Sequence, residues 1–156
     1  MYGVNSSIPK TLIRFLVGYY GESTGGEVEE ILGDILATPV SPELLPAKDG
    51  VISQVTEDIV GPYELHDFFL YYMVYHGFSP KKIYRLALYA FEGEYGADTI
   101  KKWLNTFIRR FFAQQFKRNC LPDGPKVGLL SLSPRGDWKM PSDALSSIWI
   151  AEAEKL

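Results

Sequence analysis

At 156 residues, with 46% hydrophobic and 14% aromatic side chains, the chain has enough apolar surface to bury one core, which excludes a disordered polymer. No run approaches the roughly 20 apolar residues of a membrane helix, and no basic-then-apolar leader opens the chain, so no membrane association and a cytoplasmic location are expected. The formal charge of -3 conceals a division. Residues 1–67 carry Lys10, Arg14 and Lys48 against eleven acids, whereas residues 101–139 carry nine cations against Asp123 and Asp137.

Pro9 is placed to open a first helix, in which Leu12, Ile13, Leu16, Val17 and Tyr20 recur at helical spacing. Lys10 in that first turn opposes the helix dipole, which suits a lysine with an anion to bind; the plainer reading is a solvated side chain. Residues 21–26 read as a loop, and Val28, Ile31, Leu32, Ile35 and Leu36 mark a second amphipathic helix ending near Thr38 and Pro39. Pro39, Pro42, Pro46 and Gly50 then predict a long irregular loop over 39–61, containing Ser41.

Pro62 opens a third helix whose stripe of Leu65, Phe68, Phe69, Tyr72, Met73 and His76 ends at Gly77. Ser79 and Pro80 cap a fourth, with Ile83, Leu86, Ala87 and Ala90 inward. Asp98 or Thr99 caps the fifth and longest, whose inner face is Ile100, Trp103, Leu104, Phe107, Ile108, Phe111 and Phe112. Ser142 caps a short sixth helix through Leu145, Ile148 and Trp149. The fold class is therefore mainly α, with about six helices, the 39–61 loop and a turn-rich C-terminal tract.

That tract draws attention because a basic cluster (Arg109, Arg110, Lys117, Arg118) runs into proline-punctuated turns carrying Lys126, Arg135 and Asp137. The single Cys120 cannot form an internal disulfide, and His66 and His76 are not at metal-ligand spacing, so no metal site is expected from side-chain pattern. No glycine-rich phosphate loop, HExxH or GxSxG occurs. What remains is a lysine, Lys117, beside Phe116 and near Asp137. A cation, a flat ring and a carboxylate together suit an anionic heteroaromatic ligand.

Three motifs in order now matter: Gln115-Phe116-Lys117-Arg118, then Leu121-Pro122-Asp123-Gly124-Pro125-Lys126-Val127, then Leu132-Ser133-Pro134-Arg135-Gly136-Asp137-Trp138 followed by Met140-Pro141-Ser142-Asp143. With Ile8-Pro9-Lys10-Thr11 and Ser41-Pro42-Glu43-Leu44-Leu45 upstream, essentially the whole chain resembles the C-terminal end of the synthetase domain of glutamine-dependent NAD synthetases. The resemblance implies a single portion, residues 1–156, of an α/β ATP-pyrophosphatase domain. The phosphate-loop string SGGxDS, the nucleotide-binding sheet and the glutaminase domain do not occur in this sequence, so the resemblance reads it as a fragment, inactive alone.

The implied reaction has two steps: ATP adenylates the nicotinate carboxylate of deamido-NAD, and ammonia from glutamine then displaces AMP to give NAD. By the same resemblance Lys10 meets ATP phosphates and Ser41 lies near phosphates and Mg²⁺. Lys117 and Asp137 flank the pyridine ring as the catalytic and substrate-binding pair, and Phe116 is a substrate-side neighbour. The implied partners are deamido-NAD, ATP, a glutaminase domain and further copies of the chain in a homo-oligomer, without nucleic acid. The alternative from charge alone is a helical module gripping nucleic acid or protein with the basic 101–139 tract; it requires an exposed basic stripe, whereas a ligand site requires Lys117 and Asp137 on one pocket.

Overall fold

The computed structural model describes residues 2–38 and 56–156. The described chain is mainly helical, as expected, and forms two compact units, Met1–Ile8 with Glu64–Leu156, and Pro9–Tyr63. Ser41 and most of the expected 39–61 loop lie outside the described residues. The end of that stretch is not irregular: Thr56–Val60 is a short helix.

In the Pro9–Tyr63 unit, α1 (Lys10–Thr24) and α2 (Gly26–Ala37) form an αα-hairpin. The expected loop over 21–26 shrinks to a break at Gly25. Gly25 and Gly26 take φ of 71° and 59°, a left-handed conformation that favours glycine, and this reverses the chain in one step. Gly21 instead stays helical and buried, packed against Glu29 and Leu32 of α2. Farther from the turn, the Arg14 guanidinium donates to the Leu36 carbonyl at 3.1 Å, so the two helices run antiparallel. Tyr63 receives help from α3 (Thr56–Val60), whose Glu57 carboxylate accepts the Tyr63 N–H at 3.1 Å.

In the other unit, α4 (Tyr63–Leu70) continues into a π-helical turn, Tyr71–Tyr75. The expected stop at Gly77 is present, with φ of 65° there and the Phe78 N–H returning to the Tyr72 carbonyl at 3.0 Å. α5 (Pro80–Ala90), α6 (Ala97–Ala113) and α8 (Ser147–Glu154) pack on one another, and the five-residue α7 (Gln115–Asn119) follows α6 after a one-residue kink at Gln114. The core holds the α6 face read from sequence, but on α5 Ala90, expected inward, is exposed, and Leu86 is only partly buried while Tyr84 and Leu88 pack against the core instead. Ile100, Leu104, Phe107, Ile108, Phe111 and Phe112 of α6 are buried against Leu65, Phe69 and Met73, with Ile83 and Ala87 of α5; Trp103 packs at the margin. His76 leaves the stripe and is exposed, its ring beside those of Tyr72 and Phe78 at centroid distances of 5.4 and 5.0 Å.

The capping expectations change more than the helices do. Neither Asp98 nor Thr99 caps α6, which starts after Gly96 with Asp98 inside its first turn, where a carboxylate favours the dipole. Ser79 does precede α5, yet its hydroxyl makes no cap; it donates to Glu152 of α8 at 2.7 Å, and the same carboxylate oxygen accepts the Lys81 N–H at 3.0 Å. Ser142 does not start the last helix, which begins at Ser147. Its hydroxyl instead accepts from the Asn119 amide at 2.7 Å. Among the described residues no helix is long and apolar enough to cross a membrane.

The N-terminal segment, unpatterned in sequence, is seated by the second of the three motifs. Tyr2 pairs with Asp123 in a parallel bridge, the Gly3 N–H donates to the Asp123 carbonyl at 2.7 Å, and the Ser7 hydroxyl joins the Pro125 carbonyl and Val127 N–H, each at 3.0 Å. Gly124 is required for this approach, since a Cβ there would lie 2.1 Å from the Gly3 carbonyl oxygen.

Candidate functional site

The basic tract is built from α6 outward. Burying the aromatic end of α6 fixes the start of α7, whose Gln115, Arg118 and Asn119, three and four residues apart, share one face. Gln115 is completely buried, and its carboxamide uses all of its hydrogen-bonding capacity. Its Nε2 donates to Asn119 Oδ1 at 2.8 Å and to the Met140 carbonyl at 3.0 Å; its Oε1 accepts from Arg118 Nε at 2.8 Å and from Trp138 Nε1 at 3.2 Å.

Arg118 is thereby placed over the Phe111 ring, 4.0 Å from its centroid, and also donates to the Phe111 carbonyl. Burial lowers its pKa to about 10, so it remains a cation at neutral pH. Trp138 completes the cluster edge-on to Phe111, with ring centroids 5.3 Å apart. Because the inner face of α7 is committed in this way, Phe116 and Lys117 occupy its exposed face, with Lys117 Nζ 6.0 Å from the Phe116 ring centroid.

Asp137 sits on a different construction. Ser133-Pro134-Arg135-Gly136 is a β-turn, closed by the Gly136 N–H donating to the Ser133 carbonyl at 2.9 Å, with proline and glycine where such a turn favours them. Gly136 packs so closely that a Cβ would come within 3.2 Å of the Ser131 side chain. The turn brings the Asp137 carboxylate back onto the Ser131 N–H, at 2.8 Å, and onto Lys126 Nζ, at 3.0 and 2.9 Å from its two oxygens. The hydrogen bond from Lys126, then that from Ser131, hold this carboxyl below the usual aspartate range despite some opposing desolvation. It is an anion at neutral pH. Beside it lies an open depression of about 240 Å³ lined by Tyr2, Asp123, Gly124, Lys126, Ser131, Ser133, Arg135 and Gly136.

The residues singled out from sequence thus fall in three places. Lys117, Phe116 and Asp137 belong to one unit, on α7 and on the turn that the Gln115 network ties to it; the cation in contact with Asp137 is Lys126. Lys10 belongs to the other unit, where its ammonium stands 5.7 Å from the Tyr63 ring centroid. Ser41 lies outside the described residues. Sequence reasoning left Lys126 and Gln115 without roles. The face shared by Gln115, Arg118 and Asn119 was a readable signal of an inward polar cluster, but nothing in the pattern pointed Lys126 at a residue eleven positions away.

Four of the remaining cations of the tract have local partners, whereas Arg110 and Lys139 are exposed. Arg109 pairs with Glu154, Arg135 with Asp123 at 2.7 Å, Lys101 donates to the Leu156 carbonyl, and Lys102 lies 4.3 Å from the Trp103 ring centroid. The acids in these ion pairs, Asp123, Asp137 and Glu154, come from the C-terminal part of the chain and not from the acid-rich 1–67 stretch.

Comparison with known proteins agrees with the motif order. A protein named glutamine-dependent NAD(+) synthetase from Mycobacterium leprae (strain TN) is 37% identical over an alignment 174 positions long, covering 99% of this chain. Proteins of the same name from Mycobacterium bovis (strain ATCC BAA-935 / AF2122/97) and Mycobacterium tuberculosis (strain ATCC 25618 / H37Rv) are 38% identical over an alignment 178 positions long, again covering 99% of it. This chain matches a segment of the glutamine-dependent NAD(+) synthetases. It spans 26% of the length of these relatives. No protein-family model matches it.

Proposed function

We propose that this chain works as the C-terminal part of the synthetase region of a glutamine-dependent NAD synthetase, a fragment of an α/β ATP-pyrophosphatase domain that supplies the pyridine end of the deamido-NAD site. The observation that carries this reading is the match to the synthetases across 99% of the chain. The exposed lysine on α7 and the ionised aspartate on the turn support it, because they offer the two charges that amidation of a carboxylate needs.

In this reading the nicotinate carboxylate attacks the α-phosphorus of ATP, pyrophosphate leaves, and an acyl adenylate forms. Two anions must approach each other in that step, and the Lys117 ammonium offsets their repulsion. Ammonia then attacks the acyl carbon, AMP leaves with the electron pair of the broken C–O bond, and the nitrogen sheds a proton. Asp137, oriented by Lys126 and Ser131, holds the incoming nitrogen and accepts that proton. Phe116 lies beside the ring. Lys10 and Ser41 are assigned to the ATP phosphates.

ATP and Mg²⁺ belong to the complete enzyme, where Mg²⁺ neutralises phosphate charge. Among the described residues no three His, Cys, Asp or Glu side chains gather as a metal site, so none is assigned as a ligand. A glutaminase domain supplying ammonia, a homo-oligomeric assembly and a cytoplasmic setting complete the proposal. The reading of the basic tract as a nucleic-acid or protein-binding module draws no support from cations already paired within the fold.

Isothermal titration of deamido-NAD into this chain tests the site. Binding should be measurable and should weaken roughly tenfold in Lys117→Ala, the loss of one charge-assisted contact. Equal affinity in chain and variant removes Lys117 from the site.

A further inference from the structure

The two residues assigned to deamido-NAD come from segments with no regular structure in common, a five-residue helix and a turn twenty residues later. A short helix of this kind has little stability of its own, so its orientation depends on tertiary contacts. Those contacts converge on one side chain. Gln115 lies two residues before Lys117, and its four hydrogen bonds reach Arg118 and Asn119 on α7 and Trp138 and Met140 on the tract; Trp138 directly follows Asp137.

We propose that Gln115 is a positioning residue for the deamido-NAD site, holding the helix that carries Lys117 against the turn that carries Asp137. This rests on the reading of Lys117 and Asp137 as the pyridine-end pair. Gln115 itself is fully buried and does not touch substrate; it acts by setting where the other two stand.

The chemistry of the carboxamide is what makes it suited to the task. Glutamine carries two N–H donors and a two-lone-pair acceptor at the end of a three-atom stem, so one group satisfies a guanidinium and an indole on one side and an amide oxygen and a backbone carbonyl on the other. An aliphatic residue of equal size fills the same volume but leaves the Trp138 N–H and the Met140 carbonyl without their partner inside the fold. A glutamate keeps the acceptor and loses both donors.

The second junction supports the same geometry without replacing it. Asn119 Nδ2 donates to the Ser142 hydroxyl at 2.7 Å, one turn of α7 farther along, so the tract is pinned to α7 at two points, and the one at Gln115 grips Trp138, the residue next to Asp137. Asp137 is then oriented from its other side by Lys126 and Ser131. Among the described residues Lys117 has no comparable brace, and α7 sets where its backbone stands.

The test uses this chain, labelled with ¹⁵N and titrated with deamido-NAD, followed by amide and indole N–H resonances. In the parent chain the amides of Lys117 and Asp137 respond together along one binding curve. Gln115→Met is expected to keep the α6 core resonances, to move the Trp138 indole N–H toward its free-indole position, and to weaken binding roughly tenfold or more, as misplacement of a bound group does. In that variant the Lys117 amide responds and the Asp137 amide does not, a pattern that a general loss of stability does not produce.

If Gln115→Met is folded and binds as tightly as the parent, the positioning role is wrong while the site reading stands. If the parent chain itself does not respond to deamido-NAD, the site reading fails and the positioning role falls with it. If Gln115→Met does not fold, Trp138→Phe decides, since it removes only the indole donor and keeps a ring on Phe111. A loss of about threefold in affinity supports the role, as one neutral hydrogen bond would give, and unchanged affinity overturns it.

Discussion

Glu152, on the last helix, accepts both the Ser79 hydroxyl and the Lys81 N–H, so the N-terminus of α5 is capped by a side chain seventy-three positions after the serine that precedes it. The free N–H groups of a helix's first turn need acceptors, and a carboxylate there also meets the positive end of the dipole. Glu152→Ala should therefore destabilise the chain by about 1–2 kcal/mol, the range of a lost cap. Urea denaturation reads this as a lower midpoint at unchanged slope. Glu152→Gln, which retains one acceptor, should fall between.

The α6 core sets a larger scale. Phe107 is buried and meets Phe69 and Phe111 at centroid distances of 5.7 Å each and His66 edge-on at 5.4 Å. Phe107→Ala removes these contacts and leaves a cavity, at a cost of about 3–5 kcal/mol. Thermal unfolding followed by circular dichroism should show a drop well beyond that of Glu152→Ala.

The Lys126–Asp137 pair predicts a pH effect of definite sign. Asp137 has a folded pKa below its unfolded value, so the pair's contribution is fully present above the ordinary aspartate pKa of about 3.9 and is lost as pH falls through the depressed value. Carbon NMR of the Asp137 carboxyl should show a titration below the usual range. Lys126→Met, which removes the first cause of the shift, should return it most of the way, the Ser131 N–H accounting for the remainder.

Gly124→Ala places a methyl group where the Gly3 carbonyl stands, and the N-terminal segment must move off the 123–127 turn. Hydrogen exchange at the Gly3 amide should accelerate by roughly an order of magnitude or more, the loss of a protected bond, while α6 amides keep their protection. Uniform acceleration across both would show that the segment is part of the global unfolding unit.

The α6 core was legible because its periodicity is local: six apolar residues at three- and four-residue spacing can face only one way. The errors came where a distant element decides a local outcome. Residues 21–26 look like a loop, but α1 continues through Thr24, with Gly21 packed on α2, and leaves only Gly25 and Gly26 to turn. Ser79, Asp98 and Ser142 are good capping residues by type, yet Glu152, the dipole and Asn119 respectively determine what they do. The site motifs were readable as strings. Their supports, Gln115 and Lys126, were not, because burial of a polar side chain and pairing across a turn leave no period in the sequence.

The central claim is that Lys117 and Asp137 act on the carboxylate of deamido-NAD. The direct measurement is NAD formation from deamido-NAD, ATP and ammonia by the Mycobacterium leprae relative with its matching segment replaced by this chain. That protein should make NAD, and Lys117→Ala and Asp137→Ala should each lower kcat by on the order of 10²-fold while the fold persists. Either variant turning over at the parent rate would contradict the assignment of that residue, and both doing so would contradict the account of the site.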